Sequence, residues 1–122
     1  GYSNNNLQAE FNSGGILVNG KVQAKEVNIT MDGWADYVFD ADYPLMDLNE
    51  LALFIKENGH LPGIPDEEEV KKEGLNLGEI NTKLLEKIEE LTRYILLQEE
   101  KIQELMILKK EVSELKEGIT IK

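Results

Sequence analysis

From Leu77 to about Glu117 the chain contains no proline and a single glycine, Gly78, in the first turn. At 1.5 Å rise per residue, this predicts one helix roughly 60 Å long. Within it Leu84, Ile88, Leu91, Ile95, Gln98, Ile102 and Leu105 recur at alternating steps of four and three. That spacing is a heptad seam. The next step, to Leu108, is again three, and the seam resumes through Val112, Leu115 and Ile119. Two consecutive three-residue steps are a stammer, which locally overwinds a supercoil. Gly118 is expected to end the helix, leaving Ile119-Thr120-Ile121-Lys122 as a short tail strand.

Such a rod outreaches the compact unit, about 30 Å across, that the remaining residues would form. Leaving about ten Leu and Ile side chains in water costs more than the roughly 5–15 kcal/mol that stabilises a domain. Self-association is the expected answer. The predicted interface comprises Leu84, Ile88, Leu91, Ile95, Gln98, Ile102, Leu105, Leu108, Val112 and Leu115. Ile88, Ile95 and Ile102 at a, with Leu at d, lean toward two strands. Gln98 however sits at d, while Leu85 and Met106 at e, with Tyr94 and Leu108 at g, widen the apolar face, which favours three chains or docking of other elements. A homo-oligomer is expected, a trimer ahead of a dimer. The alternative, a helix broken near Leu105–Leu108 and folded back on itself, lacks a Gly, Pro or Asn-Asp turn there.

Charge narrows the partners. The 122 residues include 24 acids and 13 bases, a formal net charge of -11. Phosphate backbones and anionic membranes repel such a chain, so nucleic acid is not an expected partner. No apolar run reaches about 18 residues, so no membrane span is predicted. Cysteine is absent, which removes disulfides, thiolate metal sites and Cys nucleophiles. Gly1–Glu10 carries no signal-peptide pattern. Residues 1–75 hold fourteen acids against five bases, whereas 76–122 hold ten against eight. A nearly balanced helix tolerates packing beside its own copies.

Two further zones precede the helix, and together the three predict an α+β chain. Residues 1–31 open with a polar stretch, Ser3-Asn4-Asn5-Asn6, expected to be flexible. Asn19-Gly20 then stands between Ile16-Leu17-Val18 and Lys21-Val22-Gln23-Ala24, which predicts a type I′ hairpin. The parity of Val22 and Ala24 slips to Val27, Ile29 and Met31, so a bulge is expected near Lys25-Glu26. A lone hairpin is marginal in water and needs a partner. Residues 32–75 carry two short helices. Asp47 with Glu50, and Asp66 with Glu69, fit capping boxes. Leu48, Leu51, Ala52 and Ile55 form the first helix's stripe, and Gly59 and Gly74 supply the stops. Residues 76–122 form the third zone, with Asn76 and Glu79 giving its start signal.

No catalytic, cofactor or metal site is predicted, and the chain reads as non-enzymatic. His60 lacks a second His or Cys to complete a metal set, and is read as a loop side chain bonded to backbone. Asp32, Asp36, Asp40 and Asp42 do not follow the calcium-loop spacing. Trp34, Phe39 and Tyr43 are expected to cover a small core. The competing reading makes Trp34 and Tyr37 a carbohydrate-stacking tip. Ser3, Ser13 and Ser113 sit in no nucleophile-elbow pattern.

Four ordered segments resemble one family. Val18-Asn19-Gly20-Lys21-Val22-Gln23-Ala24-Lys25-Glu26-Val27 resembles its VNG-x-hydrophobic-x-AKEV segment. Trp34-Ala35-Asp36-Tyr37-Val38-Phe39 resembles its W-x-DYVF motif, and His60-Leu61-Pro62-Gly63-Ile64-Pro65 its HLPGIP loop. Leu84-Leu85-Glu86-Lys87-Ile88-Glu89-Glu90-Leu91-Thr92 is similar to its LLEKIEELT helix. Asp66 stands where Ser usually follows the loop, and both residues cap helices well. The family is the C-terminal tail-fibre-type domain of surface or secreted Bacteroidetes proteins. The resemblance implies an extracellular or cell-surface module that follows β-rich repeats and trimerises through its helix. In arrangement alone it is similar to the endosialidase-type intramolecular chaperones of phage tail spikes, which cleave themselves off. No serine motif here matches theirs.

Overall fold

A computed structural model describes residues 8–121, with side chains described to Ile119. The polar stretch Ser3–Asn6 and Lys122 lie outside the described residues. The chain divides into two units between Thr30 and Met31.

The first unit holds a two-stranded antiparallel hairpin, β1 (Ala9–Asn12) and β2 (Gly15–Val18). Its register pairs Phe11 with Ile16 and Asn12 with Gly15, so Ser13 and Gly14 form the turn. This corrects the expected hairpin across Asn19-Gly20. Ile16-Leu17-Val18 does form a strand, but it pairs with the segment before it. Asn12 Oδ1 accepts from the Gly14 N–H at 2.8 Å, an Asx turn, and Gly15 adopts φ +130°, which suits glycine. This tighter local turn takes the strand that Asn19-Gly20 was expected to use. Residues 21–31 form no strand, so no ladder exists to hold a bulge at Lys25-Glu26.

The second unit contains α1 (Leu48–Asn58), α2 (Glu67–Glu73) and α3 (Leu77–Ile121). Each helix starts where a side-chain oxygen satisfies an orphan N–H. Asp47 Oδ1 accepts from Asn49 N at 2.9 Å, Asp66 Oδ1 from Glu69 N at 2.8 Å, and Asn76 Oδ1 from Glu79 N at 3.1 Å. In α1 the capped group is therefore the second residue's N–H, and not that of Glu50. Gly59 leaves α1 at φ +74°, its N–H donating to Ile55 O at 2.8 Å. Gly74 closes α2 at φ +78°.

Helix α3 is 45 residues, or about 68 Å, and runs unbroken through Leu105–Leu108 and Gly118. The expected stop at Gly118 and the tail strand after it are therefore corrected. A helical Gly118 costs only about 1 kcal/mol relative to Ala, too little to end a helix already propagating. The fold-back alternative, which needed a break near Leu105, is not adopted.

The buried centre of this unit is small: Ala35, Val38, Gly78 and Tyr94. It forms where residues 31–47 lie along the first half of α3. Trp34 and Phe39, expected to cover this core, are 59% and 57% exposed. Short Ala35 and Val38 fit against the helix where those rings do not. In α1 the half-buried residues are Leu51 and Phe54, while Leu48, Ala52 and Ile55 are exposed.

Candidate functional site: two faces of the long helix

Helix α3 meets its own chain along one face of its first half. Arg93 Nη1 donates to Val38 O at 2.9 Å, and the Tyr94 hydroxyl donates to Met46 O at 2.5 Å. Tyr43 donates to Glu90 Oε1 at 2.9 Å, and Tyr37 donates to Glu86 Oε2. The two tyrosine rings lie 5.8 Å apart, tilted by 40°. Lys87 Nζ lies 3.2 Å from Glu90 Oε1 and 3.9 Å from Glu86 Oε1, so it offsets the repulsion between the acids. Thr82 Oγ1 donates back to Gly78 O and lies 3.9 Å from Met31 Sδ. Beside this row Glu89 Oε2 is shut off from solvent with no hydrogen-bond partner among the described residues.

These phenols are harder to ionise than usual. The bond to Glu86, then loss of solvent, lifts Tyr37 to about 12. Desolvation first, then the bond to Glu90, raises Tyr43 further, and desolvation also raises Tyr94.

The predicted seam occupies the other side. Glu86 and Ile88 are two residues apart, hence about 200° round the helix. Leu84, Ile88, Leu91 and Ile95 are 46–62% exposed although residues on either side of them in sequence are bonded to the cap. Past Ile95 every residue of α3 whose side chain is described is exposed. Ile102, Leu105, Leu108, Val112 and Leu115 are 42–68% exposed, and Gln98 is exposed as well. All ten predicted interface residues are thus exposed; Leu84 to Ile102 share the face opposite the cap, and the two short steps carry Leu108 and Val112 round to the side of Glu90 and Tyr94, about five turns on. Tyr94, read from sequence as widening that stripe, is buried within the chain, and Leu85 is half-buried. The sequence reading missed Glu86, Glu90, Arg93 and Tyr94 as cap-binding residues. Their only signal was an aromatic and an arginine on the otherwise carboxylate-rich back of the heptads.

The remaining sequence-level candidates fall elsewhere. His60 sits at the exit of α1, packed edge-on against Phe54 at 5.6 Å. Its Nδ1 lies 2.9 Å from Leu61 O, and because a carbonyl can only accept, Nδ1 carries the proton. Asp32, Asp36, Asp40 and Asp42 are exposed, and no metal-binding group of three His, Asp or Glu gathers among the described residues. No helix among these residues is long and apolar enough to cross a membrane. Ser113 is exposed on α3, and Ser13 lies in the hairpin turn.

The chain matches no protein-family model, no curated protein and no solved structure.

Proposed function

We propose that the chain is a non-enzymatic structural module that assembles copies of itself, and whatever is joined to them, through the α3 seam. One observation carries this reading: the apolar positions from Leu84 to Leu115 are exposed, and those from Leu84 to Ile102 lie on the face turned away from the chain's own cap. A helix of this length with one face in water gains about 25 cal/mol per Å2 of apolar surface it buries. A second copy supplies a matching stripe, and a trimer suits its width. The resemblance to tail-fibre-type domains supports the same role at the end of a fibrous surface protein.

Ile95→Asp tests it. A carboxylate at the seam centre, away from Arg93 and Tyr94, leaves the cap intact and is expected to dissociate the assembly. Sedimentation of the variant at the parent's mass would refute the interface.

The exposure of Trp34 favours a second reading, a glycan-stacking surface on residues 34–39. Loss of glycan retention in Trp34→Ala, at unchanged oligomer mass, would support it. Silence of the parent chain on a glycan array would count against it.

A further inference from the structure

We propose that the copies pair parallel and in register, an alignment that matches opposite charges along the second half of α3 and sets Gln98 beside Gln98. This rests on the reading of the seam as an interface. The stammer resets the heptad, so Leu108 takes d, Val112 a and Leu115 d in the register that follows. Glu104 and Glu111 then occupy successive g positions, and Lys109 and Lys116 successive e positions. In a parallel, in-register coiled coil, g of one chain lies beside the e position five residues later on the next. Glu104 meets Lys109 of the next copy, and Glu111 meets Lys116, opposite charges at both places. An antiparallel rod centred near residue 100 makes neither of these two pairs.

The helix is ready to make this exchange. Glu104 is paired with Lys101 of its own chain at 3.5 Å, an ion pair whose side chains are 67% and 76% exposed. Such a pair is weak and is readily traded for one between chains. In the first half, the parallel g–e contact places Lys87 by Thr92, with no like charges opposed. Gln98 agrees with the same register. At d it faces the Gln98 of the next copy, and an amide both donates and accepts, so the two satisfy each other. Any other alignment sets this amide against Leu or Ile. The cap residues Glu86, Glu90 and Arg93 stay on the outer surface of the assembly, where they do not compete for the seam.

The absence of cysteine makes the test direct. Chains carrying Ile88→Cys and chains carrying Val112→Cys are mixed under mild oxidation. The expected products are 88–88 and 112–112 crosslinks. An antiparallel rod centred near residue 100 gives 88–112 crosslinks, and these would overturn the proposal. An oligomer by sedimentation that forms neither like-with-like product would overturn it too. A monomeric parent overturns the interface itself, and the orientation with it. As a second arm, Glu104→Lys with Glu111→Lys is expected to weaken self-association roughly tenfold or more. Mixing with Lys109→Glu/Lys116→Glu chains restores it. Unchanged self-association of the charge-reversed chain would refute the charge assignment.

Discussion

Arg93 Nη1 reaches across 55 positions of sequence to the carbonyl oxygen of Val38, at 2.9 Å. Val38 is fully buried, so no water replaces this donor easily. Arg93→Ala is therefore expected to cost about 1.5–3 kcal/mol of cap stability, the range for hydrogen bonds to charged groups. Arg93→Lys should recover only part of it, because an ammonium lacks the planar fork. Urea unfolding read on Trp34 fluorescence measures both, and oligomer mass should not change. An alanine variant within a few tenths of a kcal/mol of the parent would make the bond incidental.

The tyrosines set an alkaline limit. In the folded chain Tyr37 is lifted from 10.0 to about 12, and Tyr43 and Tyr94 are raised as well. The folded state thus favours the neutral phenol. The resulting stability is fully present below pH 10 and is lost as pH rises from there through about 12. Alkaline titration followed by tyrosinate absorbance should show at least two late-ionising groups whose ionisation coincides with cap unfolding. Ordinary titration of every tyrosine near pH 10 in a still-folded chain would contradict the bonds to Glu86 and Glu90.

Two glycines should respond in opposite directions. Gly59 holds φ +74° with open space around it, so Gly59→Ala meets no clash and suffers only the left-handed backbone penalty, about 1–2 kcal/mol. Gly118 is exposed inside α3, and Gly118→Ala should add about 0.5–1 kcal/mol to the helix end. Thermal melts followed by circular dichroism distinguish the two. A neutral or destabilising Gly118→Ala would mean that α3 stops before this residue.

Signals confined to a few neighbouring residues were the ones legible in the sequence. Asp47, Asp66 and Asn76 cap the three helices, and Gly59 and Gly74 end the first two, as their spacing implied. The seam's period was legible because it repeats, and its residues are exposed. The hairpin was misplaced because two turn-forming pairs competed. Asn19-Gly20 has the stronger statistics, but Asn12 hydrogen-bonds its own turn and Gly15 takes a φ that suits glycine. The cap was illegible for a different reason. Glu86, Glu90 and Arg93 have the composition of any solvated helix back, and nothing local announces that Val38 and Tyr43 lie against them.

The Arg93–Val38 bond also imposes an order of events during synthesis. Residues 31–47 leave the ribosome well before the stretch of α3 that receives them. A nascent polypeptide halted ahead of Arg93 leaves Ala35 and Val38 in water. Cap closure is in this sense a late proofreading step, available only to chains translated far enough to carry the rod.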